Sequence, residues 1–177
     1  MSISTIKQLS AIAAMALAPA TALASSDWVS VGSTGTFDES CNGRALLNAS
    51  AVTLSGGNSV SRCTIRYQVV DTWEGPATVQ LRTINAGYID NGAYANVIVR
   101  LMAENLSTGV VTTLSTFDSN AYPASPLYQR RTGTPCVDLN FSTYAYFVEV
   151  DLVRTIALTP ALRGTPEIRH VGVGGCL

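Results

Sequence analysis

The stretch Tyr144-Ala145-Tyr146-Phe147-Val148-Glu149-Val150-Asp151-Leu152 decides the fold class. Tyr144, Tyr146, Val148, Val150 and Leu152 recur with a period of two, opposite Glu149 and Asp151. Successive side chains of a strand point to opposite faces, so this segment buries one face and leaves the other polar. The same alternation recurs outward from it. Cys63, Ile65, Tyr67 and Val69 stand opposite Thr64, Arg66 and Gln68. Ala77, Val79 and Leu81 alternate with Thr78, Gln80 and Arg82, and Val97, Val99, Leu101 and Ala103 with Asn96, Ile98, Arg100 and Met102. Asn105-Leu106-Ser107-Thr108-Gly109 then reads as a turn, Gly109 being free to take positive φ, with Val110–Phe117 as the returning strand. Ile168–Val173 is a short last strand, and Trp28–Val31 and Leu46–Leu54 are weaker ones.

A long amphipathic helix is missing. One helical turn is predicted between Thr159 and Gly164, with Pro160 at its first position. Two connections read as irregular loops, Asn85–Tyr94 and Asp118–Pro135. Short strands with one apolar face each must bury that face against another layer. The predicted fold is therefore all-β: an antiparallel β-sandwich of jelly-roll or immunoglobulin-like kind, with a closed barrel as the alternative. Its core is assigned to Ile65, Tyr67, Val69, Val79, Leu81, Val97, Val99, Leu101, Tyr146, Val148, Val150 and Leu152.

The N-terminus reads as an export signal. Lys7 supplies the positive region, Ala11–Ala18 an apolar run of about eight residues, and Ala22-Leu23-Ala24 a small-x-small cleavage site. A spanning helix needs about 20 apolar residues, and this run is shorter and interrupted by Pro19 and Thr21. Residues 1–24 are thus a predicted signal peptide and 25–177 a single domain, secreted or periplasmic. No cysteine near the cut offers a lipid anchor. Lys7 is the only lysine among the 11 cationic residues, so the part after Ala24 carries 10 Arg against 12 acids, a net charge of −2. That balance excludes the basic footprint of a nucleic-acid binder, and there is no polybasic cluster for a membrane surface.

Four cysteines in an exported chain read as disulfides. Zinc needs closer pairs than Cys41, Cys63, Cys136 and Cys176 provide. Of three connectivities, Cys41–Cys63 with Cys136–Cys176 is preferred, because nearest pairing suits sequential strands. Each bridge closes about 20 to 40 residues, worth roughly 3–4 kcal/mol in the chain-entropy model.

Catalytic chemistry finds little support. His170 is the only histidine and no G-x-S-x-G precedes it. Glu149 and Asp151 share a strand face and form a candidate glycosidase pair. The plainer reading pairs them with Arg66, Arg82 or Arg100 on neighbouring strands. Asp90-Asn91-Gly92 offers oxygens, but a hairpin turn explains the same residues, and no metal or cofactor is assigned. Three sequons, beginning at Asn48, Asn105 and Asn140, are read as chance matches. Aromatic rings on an exposed surface stack against the apolar faces of sugars. Tyr88, Tyr94, Tyr122 and Tyr128 fall in the two irregular connections and Trp73 in a turn, so these five are the candidate ligand contacts. The functional expectation is an exported, non-catalytic structural or interaction module whose partner is a protein or glycan at the cell surface. A carbohydrate-binding module using these rings is the alternative, with a carboxylate-pair glycoside hydrolase behind it.

Overall fold

The computed structural model describes residues 27–54, 61–72, 81–155 and 164–176. The predicted leader, Trp73, Val79 with the strand around it, and most of the Thr159–Gly164 turn lie outside these residues. Among the described residues no helix is long and apolar enough to cross a membrane.

The described residues form eleven strands: β1 (Trp28–Val31), β2 (Thr36–Phe37), β3 (Ala45–Asn48), β4 (Ala51–Leu54), β5 (Ser61–Val69), β6 (Arg82–Asp90), β7 (Ala95–Asn105), β8 (Val111–Asp118), β9 (Ser125–Thr132), β10 (Tyr144–Arg154) and β11 (Glu167–Gly175). They form two antiparallel sheets. One runs β3-β4-β11-β6-β9, with β1 also paired to β11, and the other runs β2-β5-β10-β7-β8. The pairs β4·β11, β5·β10, β6·β9 and β7·β8 nest inside one another. That nesting is an eight-stranded jelly roll: one long hairpin rolled into two packed sheets. The sheets do not close into a barrel; β9 and β8 are edge strands, with Thr116 of β8 bridged to Thr134 just past β9.

The core sits between the sheets, where the period-two reading places it. Ile65, Tyr67, Val69, Val97, Val99, Leu101, Tyr146, Val148, Val150 and Leu152 are all buried. The other sheet contributes Val52, Leu54, Ile84, Ala86, Tyr88, Ile168, Val171 and Val173. Both preferred disulfides are present, Cys41–Cys63 and Cys136–Cys176. The first pins the 3₁₀ turn Glu39–Cys41 against β5; the second ties the segment after β9 to the end of β11. Gly109 has φ 68°, as its turn requires.

Four expectations are corrected. Asn85–Tyr94 is not an irregular loop; most of it belongs to β6, a strand covered on both faces. Asp118–Pro135 holds a 3₁₀ turn, Ser119–Ala121, and then the edge strand β9. Leu46–Leu54 is a two-strand hairpin, β3 and β4, reversing at Ala49 with φ 49°. Leu81 is 51% exposed rather than in the core. Its phase is wrong: in β6 the even-numbered residues Ile84, Ala86 and Tyr88 point inward, so an odd position faces out.

Candidate functional site

The outer faces of the two sheets carry very different side chains. On the β5-β10-β7 face, Glu149 lies in register between Arg66 and Arg100, and Asp151 between Thr64 and Ile98. Arg62 grips Asp151 with two hydrogen bonds of 2.9 and 2.6 Å, Arg100 adds one at 2.6 Å, and the Thr64 hydroxyl adds one at 2.7 Å. Arg66 and Arg100 hold the two oxygens of Glu149 at 3.0 and 3.4 Å. The Asp151 side chain is 1% exposed. Burial alone would raise its pKa, but the bonds from Arg62, Arg100 and Thr64 outweigh that and hold it below the ordinary carboxylate value. An acid catalyst needs the opposite, a carboxyl kept protonated. Arg82, the third arginine expected near this pair, is on β6 in the other sheet.

The Asp90-Asn91-Gly92 turn is likewise engaged internally. Ser119 Oγ donates to Asp90 Oδ2 at 2.5 Å, and the Thr165 N–H donates to Asn91 Oδ1 at 2.6 Å. Burial raises the Asp90 pKa, with bonds from Ser119 and Gly92 acting in the opposite direction. Among the described residues no group of three or more His, Cys, Asp or Glu gathers to hold a metal.

The outer face of the β11-β6-β9 sheet is open at its β9 edge. Register places His170, Gly87 and Arg130 in one row across three strands, and Gly172, Asn85 and Thr132 in the next. Ala86 and Tyr88 point into the core, so Gly87 must face outward. A side chain there would collide with the His170 ring and the Tyr128 hydroxyl. The missing Cβ lets those two groups meet over the strand, where Tyr128 Oη and His170 Nδ1 share a hydrogen bond of 3.1 Å. Burial and, after it, the Arg130 charge lower the His170 pKa, keeping the imidazole neutral near pH 7. Tyr128 remains 44% exposed, with the Arg169 guanidinium 5.8 Å from its ring centroid. Round the edge, Tyr122 is 37% exposed; it stacks on Phe117 at 5.9 Å and carries the Arg131 guanidinium 5.0 Å over its ring. Asn85, Tyr122, Arg130, Arg131 and Thr132 line one shallow depression.

The five predicted contacts thus separate. Tyr122 and Tyr128 are both exposed near the β9 edge, Tyr122 against Phe117 and Arg131 and Tyr128 against His170. Tyr88 is 1% exposed and packs its ring on Phe117 at 4.9 Å, its hydroxyl donating to Gln129 Oε1 at 3.3 Å. Burial raises the Tyr88 pKa accordingly. Tyr94 is half-buried in the β6–β7 turn, its carbonyl accepting from the Thr155 N–H at 2.9 Å. Trp73 lies outside the described residues. The sequence reading passed over Asn85, Gly87, Arg130 and Arg131, and weighed His170 only as a catalytic base. The adjacent arginines two residues after Tyr128, in a chain with so few cations, were the available signal.

These observations define a disulfide-stapled jelly-roll sandwich with one self-satisfied outer face and one open aromatic and cationic edge. No protein-family model matches the chain, and no curated protein matches it. Among solved structures, it is similar to the CBM36-1 domain of a multidomain xylanase from the hindgut metagenome of Trinervitermes trinervoides, with a TM-score of 0.49 and 15% identity over 86% of this chain and 99% of that one. It is also similar to a family 30 carbohydrate-binding module, with a TM-score of 0.44 and 10% identity over 86% and 95% of the two chains. A third, a CBM61 module bound to β-1,4-galactotriose, gives 0.43 and 7% over 84% and 87%. Scores of this size describe a loose likeness of strand layout and say nothing of a ligand.

Proposed function

We propose that this protein is an exported, non-catalytic interaction module that binds a glycan across the β9 edge of its six-stranded sheet. The observation that carries the reading is Tyr128, an exposed ring held in place over Gly87 by His170; Tyr122 lines the depression with Arg130 and Arg131 of the same edge strand. A ring already ordered by its neighbours loses little freedom on binding, which favours stacking against a sugar. The polar groups needed to orient hydroxyls, Asn85 and Thr132, line the adjoining depression. Glu149 and Asp151 do not support a hydrolase, because both carboxylates are engaged by arginines, Glu149 by Arg66 and Asp151 by Arg100. Export is supported by the leader pattern and by the two disulfides.

The test is retention on a glycan array or in affinity gels. Binding is expected for the wild type, with Tyr128→Ala weakening it about tenfold or more, the loss of roughly 1.4 kcal/mol of stacking. Tyr94→Ala, away from this edge, should leave it unchanged. A wild-type protein that ignores every glycan presented would sink the reading. Exposed Leu46 and Leu47 on the short strand β3 favour a second one, contact with a protein partner at the opposite edge. Self-association abolished by Leu47→Glu would support it.

A further inference from the structure

The arginines of this chain divide by what they face. Arg62, Arg66 and Arg100 are matched by Asp38, Glu149 and Asp151, three charges against three, and Arg169 by Glu167. Arg130 and Arg131 form no salt bridge among the described residues, and both are exposed. Among the described residues no carboxylate lines their depression: its other walls are Asn85, Tyr122 and Thr132. Asp118 lines a neighbouring depression that shares Tyr122 and Thr132, and its Oδ1 accepts from the Asn120 N–H at 2.9 Å.

We infer that the ligand of the β9 edge is an acidic polysaccharide, and that Arg130 and Arg131 recognise its carboxylate or sulfate groups; the inference rests on the glycan reading above. Adjacent residues of a strand point to opposite sides, so the two guanidinium groups bracket the edge strand. Arg130 shares the outer row with Gly87 and His170, whereas Arg131 pairs with inward-facing Ala86. A chain lying across β9 meets one cation on each side and a tyrosine beside each. Stacking on Tyr122 fixes the plane of the Arg131 guanidinium, which also interacts with the Tyr88 hydroxyl, and a guanidinium has further N–H donors with which to bond an anion. The acidic balance of the chain as a whole gives no long-range attraction for anions. Recognition therefore depends on these local charges, within a screening length of about 8 Å at physiological salt.

The experiment measures binding of the full disulfide-bonded chain to polygalacturonate, dextran sulfate, neutral xylan, neutral dextran and phosphatidylglycerol vesicles, at low and high salt. Expected is binding to polygalacturonate or dextran sulfate at least tenfold tighter than to the neutral polymers, weakening as salt rises. Which of the two is preferred identifies the anion. Arg130→Gln and Arg131→Gln should each cost about tenfold on the acidic polymer, and Arg130→Gln nothing on neutral ones. Because Arg131 touches Tyr122, Arg130→Gln, at an exposed position, is the decisive variant, read with an unchanged melting temperature. Neutral and acidic glycans bound equally, or Arg130→Gln without effect on acidic binding, would overturn the charge inference and leave glycan binding standing. Binding to vesicles with no binding to acidic glycans would also overturn it. No binding to any glycan, acidic or neutral, removes both readings.

Discussion

On the β5-β10-β7 face, three arginines meet three carboxylates at hydrogen-bond or ion-pair distance, and the central Asp151 is closed off from water. At the β9 edge two arginines share a depression with one aromatic ring, Tyr122, under Arg131, an amide and a hydroxyl, with no carboxylate among its described lining. The residue type is the same, and the partners separate the roles. A paired face has satisfied its charges during folding and has little left to offer a ligand. An edge that holds cations and rings exposed and ordered, without neutralising them, keeps that capacity for binding. The loop tyrosines follow the same division: Tyr88 hydrogen-bonds inside the fold, whereas Tyr128 is braced at the surface.

The largest expected effect tests the paired face. Asp151→Ala leaves Arg62 and Arg100 facing each other over a buried gap, and breaking a buried ion pair costs about 3–5 kcal/mol. Because both arginines reach partly into solvent, the lower half of that range is expected, measured as a fall in denaturation midpoint. A variant as stable as the wild type would mean that the network is mere decoration. Acid sharpens the same point. The Asp151 pKa is depressed in the fold, so its contribution is present above the unfolded carboxylate value, near 4. That contribution is lost as pH falls through the lower folded value. Wild type should therefore lose stability below about pH 4 more steeply than Asp151→Asn, which has already lost the charge. Parallel acid-unfolding curves would contradict the assignment.

Gly87 connects fold and surface. In Gly87→Ala the new methyl meets the ends of two flexible side chains, Tyr128 and His170, which can swing aside. The expected cost in stability is under about 1 kcal/mol. Ligand binding should fall as far as it does in Tyr128→Ala, because the bracing hydrogen bond is broken. Full binding in Gly87→Ala would show that the ordering of Tyr128 is irrelevant to recognition.

The two faces also differed in how far sequence revealed them. The β5-β10-β7 sheet was legible because its outer residues are charged and its inner ones apolar, so alternation was strong in Cys63–Val69, Val97–Ala103 and Tyr144–Leu152. The other sheet blurred that signal. In β6, Asn85 and Gly87 face outward yet are covered by neighbours, leaving no polar–apolar contrast to read. In β9, an edge strand, both sides are largely exposed, and Pro126 and the paired arginines erase the period altogether. Tyr88 and Tyr128 look alike in sequence; only pairing across β6 and β9 sends one inward and the other out. The Tyr128–His170 contact joins residues 42 apart in the chain and left no local trace.

The smallest expected effect is the most informative about the division. Arg130→Gln removes a charge that forms no salt bridge among the described residues, from an exposed position on an edge strand. Nothing in the fold is left unsatisfied, so the change in stability should stay within about 0.5 kcal/mol. Arg100→Gln, by contrast, takes bonds from both Asp151 and Glu149 and should cost about 1.5–3 kcal/mol, the range for hydrogen bonds to charged groups. Measured together by chemical denaturation, the two variants compare one residue type on the two faces. Equal losses would mean that Arg130 has a structural partner and that the open edge is a second paired face. A near-zero value for Arg130 beside a clear loss for Arg100 leaves the β9 arginine with no role in holding the fold, and its place beside Tyr128 and His170 is then best explained by what binds there.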